Sequence, residues 1–71
     1  MSNVDHPAHY QGKVEAIDAI ESAMSPEAFQ GFLHGNAMKY LCRLGKKGPP
    51  LEDGEKAAWY LARLIAHLKA Q

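Results

Sequence analysis

Gly35-Asn36-Ala37-Met38-Lys39-Tyr40-Leu41-Cys42-Arg43-Leu44-Gly45-Lys46-Lys47-Gly48 carries a helical period and an abrupt end within one segment. At about 100° per residue, Asn36, Lys39, Tyr40 and Arg43 fall inside roughly a third of a turn. Leu33, Ala37, Leu41 and Leu44 line a second face, and Gly31, Gly35, Met38 and Cys42 a third, small and soft one. Two buriable faces exceed what a lone surface helix needs. Gly45 supplies the C-terminal stop, Lys46 and Lys47 suit the negative end of the helix dipole, and Gly48-Pro49-Pro50 prevents continuation.

Upstream, Ser25-Pro26 is a start signal, with serine as N-cap, proline at the first helical position and Glu27 near the positive end of the dipole. One helix over 26–44 is therefore expected, with Gly35-Asn36 as its weak point. Val14, Ile17, Ile20 and Met24 recur at three- and four-residue spacing opposite Glu15, Asp18 and Ser22, predicting a first helix over 13–24. Residues 1–12 hold two histidines, a proline and a glycine without period, and read as an arm whose His9-Tyr10 can dock. Beyond the prolines a third helix is expected over 52–70, with Asp53 capping or charging its start. Ala57, Ala58, Leu61, Leu64, Ile65 and Leu68 form its wide apolar side, while Asp53, Lys56, Tyr60, Arg63 and His67 share another.

The short turn makes helices two and three antiparallel neighbours, so the expected fold is all-α: an αα-hairpin with the first helix packed across it. At 71 residues the chain is a single small domain near the lower limit of an independent core. Its one cysteine excludes an intrachain disulfide. Self-association to a homo-oligomer is the expected remedy, and Trp59, beside Ala62 and Ala66 off the main apolar stripe, marks a candidate subunit contact. Lysine plus arginine and aspartate plus glutamate each number 8, which removes any bulk attraction to long nucleic acid or anionic lipid. No window reaches the roughly 20 apolar residues of a membrane span, and the N-terminus lacks a signal-peptide pattern. A soluble cytoplasmic protein with no membrane partner is expected.

Across the hairpin, Lys39, Arg43, Lys46, Lys47, Lys56 and Arg63 converge with Asn36, Tyr40 and Tyr60. Arginine offers phosphate a planar fork of donors, lysine a point charge, and tyrosine a surface for a nucleobase. The alternative is a solvated face whose cations pair with Glu52, Asp53 and Glu55. His6 and His9 lack a second pair of ligands at metal spacing, so no metal site is expected of them. Glu15-Ala16-Ile17-Asp18 sets two carboxylates one turn apart, a spacing able to hold Mg²⁺ through phosphates or simply the wet side of an amphipathic helix. There is no Walker loop, nucleophile elbow or dinucleotide fingerprint.

Several blocks carry a family resemblance: His9-Tyr10, Val14-Glu15-Ala16-Ile17-Asp18, Gly35 to Tyr40, Arg43 to Lys47, Glu52-Asp53, and Lys56-Ala57-Ala58-Trp59-Tyr60-Leu61. In their order and spacing they resemble the small phage-encoded nucleotide-kinase-like family, the SaV-like phage domain. That resemblance implies a phage or prophage origin, action in the host bacterial cytoplasm, and a link to nucleotides, since one coliphage member is known as a nucleoside monophosphate kinase. More distantly, Glu15-x-x-Asp18 is similar to the acidic helices on which all-α nucleotide pyrophosphohydrolases hold Mg²⁺, although Asp53-x-x-Lys56 places a lysine at the second position. Three functions compete. The favoured one is a non-enzymatic protein that binds and sequesters a phosphorylated nucleotide, cyclic or signalling ones included, in evasion of host defence. Its ligand-binding residues are His9, Tyr10, Asn36, Lys39, Tyr40, Arg43, Lys47, Lys56, Tyr60 and Arg63. The second is a minimal kinase using ATP and Mg²⁺, with Glu15, Asp18 or Asp53 placing the metal or orienting the acceptor. The third is a helical module that binds another protein.

Overall fold

The structure, a computed structural model, describes the backbone of residues 8–71 and the side chains of residues 16–71. These residues form three helices and no strand: α1 (Ala8–Ala23), α2 (Pro26–Arg43) and α3 (Pro50–Lys69). Helix α1 begins at Ala8 rather than Lys13, so residues 8–12, expected in the arm, are helical. Between Ala8 and Lys13 only Gly12 opposes a helix, at a cost of about 1 kcal/mol. The rest of the arm, 1–7, lies outside the described residues.

Helix α2 starts as its sequence dictates. Ser25 is extended (φ −67°, ψ 160°), and its Oγ accepts the Ala28 N–H at 3.1 Å, satisfying a donor that the first turn would leave orphaned. The helix runs through Gly35-Asn36 unbroken, and the Asn36 amide donates back to the Phe32 carbonyl at 2.8 Å. It ends at Arg43. Gly45 there adopts φ +79°, a left-handed conformation that glycine enters without steric cost. Helix α3 begins at Pro50, with Pro49 as N-cap and no side-chain cap. Asp53 therefore does not cap; it lies inside the helix and is buried.

Arg43, closing α2, meets Asp53 near the start of α3, and Phe29 in the first turn of α2 meets His67 in the last turn of α3 edge-on, ring centroids 5.2 Å apart. The two helices therefore run antiparallel. Phe29 and Leu33 are fully buried between them with Ile17 of α1, and Ile20, Phe32, Tyr60 and Leu64 pack around this centre. Each of the two largest buried side chains contributes about 1.5–3 kcal/mol of transfer free energy. Arg63 ties α3 to α1 through Asp18 at 2.9 Å and Glu21 at 2.8 Å. Both carboxylates are exposed, so the network adds roughly 0–1 kcal/mol, and among the described residues Ile17 is the buried anchor of α1. The bond to Asp18, opposed by partial desolvation and aided by Glu21, raises the Arg63 pKa, so this guanidinium loses its charge only above the usual arginine range.

The faces do not follow the apolar stripe of the sequence. On α3 the inward residues are Asp53, Ala57, Tyr60, Leu64 and His67, whereas Leu61, Ile65 and Leu68 of the expected apolar side are exposed. On α2, Leu33 and Ala37 are inward, and Leu41 and Leu44 are exposed. The inward polar side chains bring large rings or find hydrogen-bond partners, which lets a mixed face fill the seam between helices. The Gly31/Gly35 face is open: a Cβ added at either glycine meets nothing within 4 Å.

Two substitutions separate core from surface. Phe29→Ala should cost about 3–5 kcal/mol, enough to remove most of the folded population of so small a chain, as read by urea denaturation followed by far-UV circular dichroism. Gly35→Ala should instead gain about 0.5–1 kcal/mol from helix propensity in the same experiment.

Candidate functional site

Along the seam, the rings of Tyr40 (α2) and Tyr60 (α3) stack with centroids 5.9 Å apart and planes 12° from parallel. They meet diagonally across it, Tyr40 lying nearer the Arg43–Asp53 end, and Phe32 and Trp59 hold Tyr60 edge-on at 6.3 and 5.0 Å. Three cations surround the Tyr40 ring: Lys39 Nζ at 4.6 Å from its centroid, the Arg43 guanidinium carbon at 5.0 Å and Lys56 Nζ at 5.5 Å. The ring quadrupole attracts such cations, by about 0.5–1 kcal/mol each at exposed sites.

Their charges are not equivalent. Arg43 directs both Nε (3.2 Å) and an Nη (3.0 Å) at Oδ1 of Asp53, whose side chain is only 3 % exposed. That carboxylate cancels the arginine. Lys39 and Lys56 are exposed and have no carboxylate within ion-pair distance among the described residues. The cluster so carries two surplus positive charges beside an aromatic pair, a setting matched to a phosphomonoester near its dianionic form.

Of the residues expected in the site, Lys39, Tyr40, Arg43, Lys56 and Tyr60 are brought together. Asn36 lies on the same seam with its amide committed to Phe32. Arg63 is directed away, to Asp18 and Glu21 of α1. Lys47 is exposed in the link between α2 and α3. The side chains of His9, Tyr10 and Glu15 lie outside the described residues. The alternative catalytic carboxylates do not converge: Asp18 is bound to Arg63 and Asp53 to Arg43, and these anchor points are ten positions apart on α3, about 15 Å. Among the described residues no group of three or more His, Cys, Asp and Glu is disposed around a common metal position.

Sequence reasoning grouped Asp53 and His67 on the polar side of helix three; both are buried. Part of the signal was available in the connection: Arg43 lies in the last turn of α2 and Asp53 in the first turn of α3, so a pair closed by that short link brings the two ends near each other. His67 pairs its Nε2 with the Pro26 carbonyl at 2.9 Å, a geometry in which Nε2 carries the proton. It lines a cleft of about 330 Å³ with Glu21, Phe29 and Arg63, at the far end of the seam from the lysines.

Residues 4–62 match the family model described as a protein of unknown function, DUF3310. The chain belongs to that family. It is 45 % identical over 64 residues to the gene 1.7 protein of Enterobacteria phage T3, an alignment covering 83 % of this chain and 39 % of the T3 protein. It is 41 % identical over 49 residues to a protein of Escherichia phage T7 named nucleotide kinase gp1.7, covering 66 % of this chain and 25 % of that protein. The alignments thus span well under half the length of these curated relatives. No solved structure matches. No helix among the described residues is long and apolar enough to cross a membrane.

The ion pair beneath the cluster should respond asymmetrically to mutation. Arg43→Met strands a buried carboxylate and should cost about 3–5 kcal/mol, whereas Asp53→Asn leaves an arginine that is 35 % exposed and able to reach water, at about 1–2 kcal/mol. Urea midpoints of the two variants give the comparison, and equal losses would contradict the burial of Asp53.

Proposed function

We propose that the chain binds a phosphorylated nucleoside, with the phosphate between Lys39 and Lys56 and the base against the Tyr40–Tyr60 pair. The observation that carries this reading is the pair of lysines that have no carboxylate partner among the described residues around one stacked tyrosine. Bringing like charges to one ring is unfavourable by itself, and a bound phosphate turns that repulsion into attraction. Arg43, held by Asp53, acts as a fixed wall of the site more than as a free donor. Asn36, Lys47 and the His9-Tyr10 segment are proposed as flanking contacts. The name of the T7 relative supports a link to nucleotides.

The same reading takes binding without turnover as the function. Phosphoryl transfer requires two phosphorylated ligands held in line, and a single two-lysine clamp holds one. In a phage setting such a protein acts by withholding a nucleotide, a cyclic or signalling one included, from host defence in the host cytoplasm. The minimal kinase rests on the T7 name, and the separation of Asp18 from Asp53 counts against it.

Isothermal calorimetry with a panel of nucleoside mono-, di- and triphosphates and cyclic nucleotides tests the site. Lys39→Ala and Lys56→Ala should each weaken the bound member about tenfold or more, with helical content unchanged, and rising salt should weaken wild type in the same direction. The nucleotide should be recovered chemically intact after denaturation. Affinity unchanged in both variants removes the site, and multiple-turnover formation of diphosphate from a monophosphate and ATP would replace sequestration by the kinase.

A further inference from the structure

One side of the α2/α3 pair is covered by α1, and the opposite side carries a row of large apolar side chains. Leu41 and Leu44 of α2 and Leu61, Ile65 and Leu68 of α3 retain between 43 and 59 % of their surface. They lie on one side because both helices turn right-handed and run antiparallel, so residues displaced the same way round from each inward face emerge together. The approach of Leu44 Cδ1 to within 3.8 Å of a Cβ built at Gly54 places the α2 and α3 portions of this row in contact. Ile17, Asp18 and Glu21 of α1 sit on the other side, against Phe29 and Arg63.

We infer that this row is the contact surface for a second copy of the chain, joined through a two-fold axis so that two α2/α3 pairs form a four-helix core. The argument for a second copy is first one of charge. The row runs through Leu41 and Leu44, then Gly54, Ala58, Leu61, Ile65 and Leu68, with no ionisable side chain among them, and the exposed His34 lies beyond its α2 end. An isologous interface apposes each patch to itself, which a neutral patch tolerates and a charged one resists. Area is the second argument. Leu41, Leu44, Leu61, Ile65 and Leu68 each retain about half of their surface, on the order of 500 Å² per chain, so two copies together bury on the order of 1,000 Å², which reaches the lower end of the scale of a specific interface. The third is need: among the described residues only Phe29 and Leu33 are fully buried large side chains. Gly54 and Ala58 supply small positions along which a facing helix can approach. Lys39 and Lys56 project from the other side, so this pairing leaves the candidate anion site open.

Sedimentation equilibrium of the full chain over 1–100 µM tests the inference. Wild type should sediment at twice the mass of one chain, and its thermal midpoint should rise with concentration, as dimer-linked stability requires. The double variant Leu61→Glu, Ile65→Glu should lose the dimer, while Ala66→Glu, which adds charge to the opposite side of α3, should keep it. If the double variant fails to fold, the concentration dependence of the wild-type midpoint decides alone. A wild type that is monomeric at 100 µM, its row covered by residues 1–7 or by a different protein, overturns the inference. So does a double variant that still sediments as a dimer.

Discussion

The Arg43–Asp53 pair is the constraint on which the α2/α3 arrangement turns. A carboxylate almost wholly removed from water is tolerated only beside a compensating charge, and Arg43 meets it with two donors on one oxygen. Because those residues close α2 and open α3, their contact sets the register of the whole antiparallel pair. Residue numbers that meet across the seam sum to 96 at this end, and again where Phe29 meets His67. A slip by one helical turn would strand the carboxylate and open the seam at both ends. The pair thus contributes more to choosing one register than to net stability, since desolvation offsets much of its Coulomb energy.

That register explains what was legible in the sequence and what was not. The bounds of α2 were written locally, Ser25-Pro26 opening it and Gly45 with its positive φ closing it, whereas α3 starts at Pro50, two residues before the expected 52, because proline fits the first helical position. Face assignment was not, because periodicity reports which residues share a side without saying which side meets which neighbour. Leu61, Ile65 and Leu68 make the more apolar stripe, and a hydropathy argument buries them first. The chain instead turns Asp53, Tyr60 and His67 inward: an ion pair satisfies the buried Asp53, a bond to the Pro26 carbonyl the buried His67, and the half-buried Tyr60 stacks on Tyr40. The start of α1 was missed for a simpler reason. Ala8 to Gly12 has composition compatible with either state, and the histidines and glycine gave loop signals that helical continuity overrode.

The candidate site is a by-product of the same pairing. Tyr40 and Tyr60 meet because both face the seam and their long rings reach diagonally across it, and Lys39 and Lys56 follow because each lies within four residues of one of the tyrosines on its own helix. Spacing alone had gathered these residues correctly with Arg43, yet could not distribute their charges. It counted Arg43 and Arg63 as equal donors with the lysines, whereas each arginine is committed to carboxylates and, among the described residues, Lys39 and Lys56 are not. Family membership does not decide between binding and catalysis, because the alignments cover 39 % and 25 % of the T3 and T7 proteins. Any activity of those proteins can reside in the lengths this chain does not match.

Two sides of one helix pair therefore face different problems. On the side shared with α1 the seam is finished by rings and ions, whose polar tips can border water and hold lysines in place. On the other side it is lined by branched aliphatic carbons, which have nothing to offer water and no hydrogen bond to satisfy. A chain of this length cannot enclose both, because the surface it must cover grows relative to the core it can build as size falls. Spending the polar residues inward on the side that α1 closes leaves the aliphatic residues outward, where their burial depends on a second surface. An ordinary monomer places its aliphatic stripe inward and its tyrosines at the rim. The reversal seen on α3 leaves the lysine-flanked tyrosines on one side of the molecule and its most apolar row on the other.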